Sequence, residues 1–212
     1  MTLDGKIASR SGDSKISDPE DLQRVHELRS AVDAIMIGIG TVLIDNPRLT
    51  TRMVDGHNPI RVVVDGRAET PLQARVLGEK SDLKPIVAVT ERACPNRVIS
   101  LKRRGAEIIT AGKEDRVDLT LLMERLWKRG IRTIMLEGGG TLNWSMLNEG
   151  LVDEVRVAVA PILIGGRDAV TLVEGDGVST IAEGIHLKLS RIQEHGQDLV
   201  LVYTVANVQE GL

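Results

Sequence analysis

Five short apolar segments, separated by stretches long enough for helices, constrain the fold of this chain more than any other feature. Each is rich in β-branched residues and is bounded by turn-forming residues, which is typical of strands. Continuous apolar runs, unlike alternating ones, indicate strands buried on both faces, as in a parallel sheet covered by helices. The sequence therefore predicts an α/β fold with a mainly parallel central sheet flanked by helices. The five segments are Ala34–Ile37, Ile60–Val64, Pro85–Val89, Ala106–Ile109 and Thr133–Leu136.

Two of the intervening stretches carry signals for helix ends. Ser17 and Glu20 have the spacing of a capping box, and Pro19 falls in the first turn, where its missing N–H costs nothing. Asp118 precedes a run of apolar residues with a 3.6-residue period, and Gly130 follows that run. These signals predict one helix capped by Ser17 and another between Asp118 and Gly130.

The pattern changes after residue 150, where apolar and polar residues alternate with a period of two. This alternation predicts antiparallel strands at Glu154–Val159, His186–Ser190 and Leu199–Tyr203. The turn-rich residues 194–198 join the last two as a hairpin. The sequence contains no internal repeat and no linker, so we expect a single domain over residues 1–212.

Composition excludes several classes of protein. The formal net charge is −3, and no strong basic field points to nucleic acid as a partner. The lone cysteine, Cys94, cannot form an internal disulfide, which favours a reducing, cytoplasmic location. No apolar run is long enough to span a membrane, and the first residues lack the apolar region of a signal peptide. We therefore expect a small-molecule ligand.

The strongest local motif is a run of three glycines between a predicted strand and a predicted helix. It reads Leu136-Glu137-Gly138-Gly139-Gly140-Thr141. Glycines at such a junction let backbone N–H groups face a ligand, and the following helix N-terminus favours an anion such as a pyrophosphate. The alternative is a tight strand-to-helix turn without a ligand. The acidic Glu137 at the end of the strand favours a functional site.

A second glycine-containing segment, Gly38–Pro47, also follows a predicted strand. It departs from the dinucleotide-binding fingerprint because Leu43 stands where that motif has its last glycine. Thr41 and Asp45 are four residues apart and would share one face of a helical turn. They are candidate ligand contacts, and the alternative is a short capped helix.

Three arginines near this segment, Arg29, Arg48 and Arg52, are candidates for binding a phosphate monoester through paired N–H donors. The alternative is that each is an ordinary surface arginine. The sequence lacks a phosphate-binding P-loop, a serine-hydrolase elbow and the zinc-deaminase pattern. Its four histidines have no metal-ligand spacing with one another or with Cys94, so we expect no metal.

Taken in order, these motifs resemble the reductases of riboflavin biosynthesis. Because no deaminase half is present, the chain is similar to the stand-alone archaeal and fungal enzymes. The resemblance covers nearly the whole chain, and its motifs are specific as a set. The matching blocks are Leu3–Ala8, Gly12–Ser17, Val32–Ile35, Gly38–Thr41, Asp45–Thr50, Asn58–Asp65, Leu136–Leu142, Gly150–Glu154 and Ala160–Gly166.

The resemblance implies a dihydrofolate-reductase-like fold, a homodimer, and NADPH as hydride donor, with NADH possible. The implied reaction reduces the ribosylamino side chain of a pyrimidinone to a ribitylamino chain and keeps the 5′-phosphate. In the archaeal and fungal order, reduction precedes deamination. The implied substrate is then 2,5-diamino-6-(5-phosphoribosylamino)pyrimidin-4(3H)-one, with hydride delivered to C1′.

The resemblance also assigns roles to particular residues. It implies that Arg29 and Arg52 bind the substrate phosphate and that Arg67 binds the 2′-phosphate of NADPH. The candidate carboxylates for acid–base work, or for holding the pyrimidine edge, are Glu137 and Asp45, and Glu137 is favoured because it lies beside the glycine loop. The implied substrate contacts are Ser14, Ser17, Arg29, Leu49, Arg52 and Glu137. The implied cofactor contacts are Thr41, Asp45, Gly66, Arg67, Gly138, Gly139, Gly140 and Thr141.

One departure from the family pattern lies at the start of the chain. Family members have an apolar strand before the Leu-Asp-Gly-Lys block, whereas only Met1 and Thr2 precede Leu3 here. Either the natural start lies upstream or the chain lacks that strand. Two other functions stay open. One is a pterin or folate reductase on the same fold, and the other, if the absent strand disables the pocket, is a non-catalytic NADPH-binding protein.

Overall fold

The computed structural model describes residues 1–78 and 83–206, which form two compact units. One unit comprises residues 25–139. The other combines residues 1–24 with the segment that begins at Gly140.

A five-stranded parallel sheet forms the core of the unit of residues 25–139. Every segment predicted as a strand is a strand, and the order across the sheet is β4-β3-β2-β1-β5. The strands are β1 (Ala34–Gly38), β2 (Ile60–Val64), β3 (Ile86–Val89), β4 (Glu107–Thr110) and β5 (Ile134–Leu136). The prediction of a mainly parallel sheet is confirmed.

Burial explains why these runs become strands. Strands β1 and β2 have no solvent-exposed surface at Ala34–Ile37 and at Val62 and Val63, as expected for strands covered on both faces. Helices provide that cover: α2 (Ile39–Asp45), α3 (Arg75–Gly78), α4 (Pro95–Arg103) and α5 (Leu119–Lys128). The predicted cap of α5 is confirmed, because Asp118 Oδ1 accepts a hydrogen bond of 2.8 Å from the Leu121 N–H.

The predicted cap of the first helix was wrong by one residue. Helix α1 spans Pro19–Ser30, and its first turn is capped by Asp18, whose Oδ1 accepts from the Asp21 N–H at 2.9 Å. Ser17 therefore lies outside the cap. The reason is that Pro19 occupies the first helical position, which makes the preceding aspartate the capping residue.

The other unit contains α6 (Gly140–Asn148) and a three-stranded antiparallel sheet. The strands are β6 (Glu154–Val159), β7 (Leu187–His195) and β8 (Asp198–Val205), in the order β6-β8-β7. The predicted hairpin is confirmed, and β7 continues further than the alternation suggested. In the described ranges, no helix has the length and apolar character needed to cross a bilayer.

Candidate active site

The glycine loop and the glycine-containing segment after β1 lie at the point where the strand order of the parallel sheet reverses. Strands β1 and β5 are neighbours, yet the chain leaves β1 toward β2 on the opposite side. In open α/β sheets, ligands bind at such a point, outside the carboxyl ends of the strands. Here the Gly38 N–H donates a hydrogen bond of 2.8 Å to the Gly138 carbonyl. The two motifs are thereby joined.

Helix α2 carries Thr41 next to the glycine loop. A Cβ added at Gly139 would lie 3.4 Å from the Thr41 Oγ1, so the glycine leaves its backbone open beside that hydroxyl. The short helix considered as an alternative is present, and it places Thr41 and Asp45 on one face. The two interpretations of this segment are therefore compatible.

Gly140 has a packing reason to lack a side chain. A Cβ there would lie 2.7 Å from the Glu174 Cγ and 2.9 Å from the Thr171 carbonyl oxygen. Gly140 is buried at the start of α6, whereas the next residue, Thr141, is exposed. Gly139 and Gly140 thus differ in their requirements, because Gly139 lies open beside a polar side chain whereas Gly140 is closely packed.

Glu137, the acid between β5 and the glycines, is paired with Arg29 of α1. The Arg29 Nε and Nη2 donate to the two carboxylate oxygens of Glu137, both at 2.7 Å. The side chains are 14% and 17% exposed respectively. A bidentate pair of this kind fixes the orientation of both groups. It connects the glycine loop to the arginines predicted to bind phosphate.

The three predicted phosphate-binding arginines line one cavity of about 340 Å³. Arg29, Arg48 and Arg52 are joined there by Arg75, which the sequence did not single out. Asp45 is the acidic residue in the lining. Although Arg29 is paired with Glu137, the guanidinium groups still outnumber the carboxylates, so the cavity suits an anion.

A buried histidine and a buried threonine support the arginines of this cavity. The Thr50 carbonyl accepts from the Arg29 Nη1 at 3.4 Å, and its Oγ1 accepts from the Arg52 Nη1 at 2.9 Å. The His26 Nδ1 accepts from the Arg52 backbone N–H at 3.0 Å. Burial and the charges of Arg29 and Arg52 lower the pKa of His26. In the sequence, His26 occupies a position in the helical period of α1 and looks like a core residue.

Asp45 differs from Glu137 in its surroundings. It ends α2, and Asn46 closes that helix in a left-handed conformation. The Asn46 Oδ1 accepts a hydrogen bond of 2.8 Å from the Arg75 backbone N–H, which holds the start of α3 next to the end of α2. Partial burial raises the pKa of the Asp45 carboxyl above its ordinary value. A carboxyl group with a raised pKa is suited to exchanging a proton.

Gly66 and Arg67 lie beyond the end of β2, outside the lining of the arginine cavity. A Cβ at Gly66 would lie 2.5 Å from the Asp115 carbonyl oxygen, so close packing alone requires glycine there. The exposed Arg67 guanidinium is 3.7 Å from the Asp115 carboxylate. Its assignment to the 2′-phosphate of NADPH stays a prediction.

Ser14 and Ser17 belong to the other compact unit. Ser14 is exposed and Ser17 is half-buried, and both precede α1. Their roles as substrate contacts stay predictions that depend on the resemblance.

The residues around Gly139 fit the pyrophosphate of a dinucleotide. The open backbone at Gly139 beside Thr41, at the reversal point of the sheet, is a cradle that a Cβ would partly fill. The arginine cavity provides a separate place for a second anion. The Glu137–Arg29 pair connects the two. Such an arrangement suits two phosphorylated ligands bound next to each other.

Comparison with known proteins agrees with this arrangement. The model of the RibD C-terminal domain family matches residues 1–201. A relative from Methanothermobacter thermautotrophicus, named 2,5-diamino-6-ribosylamino-4(3H)-pyrimidinone 5′-phosphate reductase, is 56% identical over 208 residues, which cover 97% of this chain and 94% of the relative. A relative of the same name from Aquifex aeolicus is 38% identical over 212 residues, covering 98% and 94%.

Solved structures give the same result for the fold. The structure of Acinetobacter baumannii RibD matches with a TM-score of 0.80 at 28% identity, over 97% of this chain and 55% of that chain. The dihydrofolate-reductase-like fold implied by the sequence motifs is thereby supported.

Proposed function

Because the chain belongs to the RibD C-terminal domain family, we propose that it reduces 2,5-diamino-6-(5-phosphoribosylamino)pyrimidin-4(3H)-one to its ribitylamino form with NADPH. The observation that carries this proposal is the cavity of four arginines joined to a glycine loop through the Arg29–Glu137 pair. The family match spans both compact units, which supports a single reductase domain.

The residues divide into those for the cofactor and those for the substrate. Thr41 and the loop Gly138–Thr141 would hold the pyrophosphate, because backbone N–H groups and a hydroxyl are suitable donors to phosphate oxygens. Arg29 and Arg52 would bind the 5′-phosphate, and Leu49, which lines the same cavity, would contact the substrate. When bound, NADPH supplies the hydride that reduces C1′ of the ring-opened imine.

The candidates for acid–base catalysis are the carboxylates of Glu137 and Asp45. Ring opening breaks the C1′–O4′ bond and moves a proton from the glycosylamine nitrogen to the ring oxygen. Reduction of the resulting imine then adds hydride to C1′ and one proton to the nitrogen, so a nearby acid is needed. Glu137 already accepts two hydrogen bonds from Arg29, which suits it to orienting the substrate. Asp45 lines the arginine cavity and is therefore proposed as the proton donor in place of Glu137, which the sequence favoured; partial burial also raises the pKa of its carboxyl.

Turnover with purified protein tests the proposed function. The loss of NADPH absorbance would be followed with the diamino ribosylaminopyrimidinone phosphate, with its deaminated counterpart and with dihydrofolate. Turnover of the diamino compound at the highest kcat/KM supports the proposal. A faster reaction with the deaminated compound reverses the assigned order of reduction and deamination. Oxidation with dihydrofolate alone would indicate a folate reductase, and tight NADPH binding without turnover a non-catalytic protein.

Replacing Arg67 with alanine should weaken selection for NADPH over NADH. If the guanidinium contacts the 2′-phosphate, the Kd for NADPH should rise about ten-fold while that for NADH stays unchanged, because one charged hydrogen bond is worth about 1.5–3 kcal/mol. Fluorescence titration with each cofactor measures this. Arg103→Ala removes an exposed arginine of the same unit and serves as the control. Equal losses for both cofactors would contradict the assignment.

A homodimer is proposed through the antiparallel sheet. One face of β7 and β8 carries Leu187, Leu189, Ile192 and Leu199, all more than 40% exposed. A contiguous apolar face of this kind is typical of an interface. Light scattering should therefore give twice the mass of the chain.

The variant Ile192→Glu should convert such a dimer to a monomer, because Ile192 lies on the apolar face and is 56% exposed. Lys188→Glu introduces the same carboxylate on the opposite face of β7 and should leave the mass unchanged. A monomeric wild-type protein would rule out the proposed dimer.

A further inference from the structure

His26 lies one helical turn before Arg29 on α1, and only 4% of it is exposed. Its imidazole contacts the segment that follows Leu49, because the Nδ1 accepts a hydrogen bond of 3.0 Å from the Arg52 N–H. This bond reaches the backbone that presents Arg52 to the cavity.

The same segment is shared by two guanidinium groups. Arg29 donates to the Thr50 carbonyl and Arg52 to the Thr50 Oγ1, at 3.4 Å and 2.9 Å. A displacement of Thr50 and Arg52 would therefore move donors of both arginines. Positioning of this kind affects ligand binding through geometry, without contact between the histidine and the ligand.

We propose that His26 is a positioning residue, whose unprotonated Nδ1 holds the Arg52 backbone so that Arg29 and Arg52 together bind the substrate phosphate. This inference rests on the proposed function of the arginine cavity. It requires a particular state of the imidazole, because Nδ1 can accept from an N–H only when it carries no proton.

The charges around His26 favour that state. Arg29 on the same helix and Arg52 on the facing loop oppose a positive imidazole, and Glu137 after β5 favours one. Burial is the largest cause that lowers the pKa of His26, and the two arginines add to it, whereas Glu137 and the Thr50 backbone act in the opposite direction. The acceptor is thus available near neutral pH. A protonated His26 would lose the bond to Arg52 and add a third cation to the two guanidiniums.

Two substitutions of His26 distinguish the effect of losing the hydrogen-bond acceptor from the effect of changed packing. His26→Leu introduces an apolar side chain of similar bulk, which preserves the packing and removes the acceptor. His26→Asn restores an acceptor oxygen near the position of Nδ1 and does not titrate in the range of histidine. His57→Leu, at an exposed histidine of the same unit, is the matched control.

Sulfate is the probe for the cavity, because its charge does not change over the pH range of histidine titration. Near neutral pH, His26→Leu should raise the Kd for sulfate and the KM for the phosphorylated substrate about ten-fold, since a buried N–H loses its partner. The kcat and the KM for NADPH should stay within about two-fold of wild type. His26→Asn and His57→Leu should both retain the wild-type values for sulfate.

A pH profile gives an independent readout. Because the pKa of His26 is lowered by folding, the unfolded chain binds more protons than the folded one as the pH falls below about 6.5. The free energy of unfolding should therefore decrease on acidification through that range in the wild type. His26→Asn should lack this part of the decrease, whereas His57→Leu should retain it.

The outcomes distinguish this inference from the proposed function. If sulfate binding depends on His26 as described but no pyrimidine is reduced, the reductase assignment fails and the positioning role stands. If the substrate is reduced and His26→Leu leaves both the sulfate Kd and the substrate KM unchanged, the positioning role is overturned. The same conclusion follows if His26→Asn is as impaired as His26→Leu, or if the wild type does not bind sulfate.

Discussion

Replacing Arg29 with alanine is expected to lower kcat/KM for the phosphorylated substrate by about 100-fold or more. Arg29 has two functions, because it lines the anion cavity and holds both oxygens of Glu137 at 2.7 Å. Its removal would leave a largely buried carboxylate without its partner, which typically costs about 3 kcal/mol. Steady-state kinetics with varied substrate, together with denaturant unfolding, measures both effects.

Helix α1 offers a matched control for this substitution. Arg24 also pairs with a carboxylate, that of Asp21, at 2.6 Å, and its side chain is 14% exposed, as is that of Arg29. Arg24→Ala should therefore lower the free energy of unfolding by a similar amount and leave the KM for the substrate unchanged. If both variants raise this KM equally, the effect of Arg29 is general destabilisation, and the phosphate role is contradicted.

The partner substitution assigns the role of Glu137. If Glu137 only orients Arg29, Glu137→Gln should raise the KM for the substrate and add little to the effect of Arg29→Ala, because contacting residues are not additive. If Glu137 donates the proton, the same substitution should instead lower kcat across the pH range. Asp45→Asn should show this second behaviour if Asp45 is the acid.

The sheet could be predicted from the sequence because its signal is local. Ala34–Ile37 is a continuous apolar run with turn residues on both sides, and burial on two faces is the state in which such a run is most stable. Helix α3, by contrast, spans only Arg75–Gly78 and is too short to show a helical period. Its position depends on tertiary contacts, among them the bond from Arg75 to Asn46.

The candidate site could be predicted only in part, because its residues are far apart along the chain and leave no local pattern. The residues Arg29, Arg48 and Arg52 were selected for their charge, but only the folded chain brings them into one cavity. The pair of Arg29 with Glu137 joins residues 108 positions apart, which no local pattern can reveal. His26 was missed because a buried histidine in a helical period has the same pattern as a core residue.

Replacing Gly138 with alanine is expected to raise the Kd for NADPH by about 100-fold, the effect of losing two or so phosphate hydrogen bonds. Gly138 is buried and has a φ of 92°, a region that residues with a Cβ rarely adopt. Its carbonyl accepts the hydrogen bond from Gly38 that joins the two glycine-containing segments. An alanine would shift this backbone and, with it, the N–H groups that follow. Fluorescence titration with NADPH measures the loss.

The variant Gly130→Ala is the control that distinguishes backbone strain from damage to the cofactor site. It follows α5 with a φ of 86°, and a Cβ there would meet nothing within 4 Å. Both Gly130→Ala and Gly138→Ala should lower the free energy of unfolding by about 1–2 kcal/mol, because each forces alanine into a left-handed conformation. Only Gly138→Ala should weaken NADPH binding. If Gly138→Ala unfolds more easily yet binds NADPH as the wild type does, the three glycines form a tight turn between β5 and α6, and the cofactor must be held elsewhere.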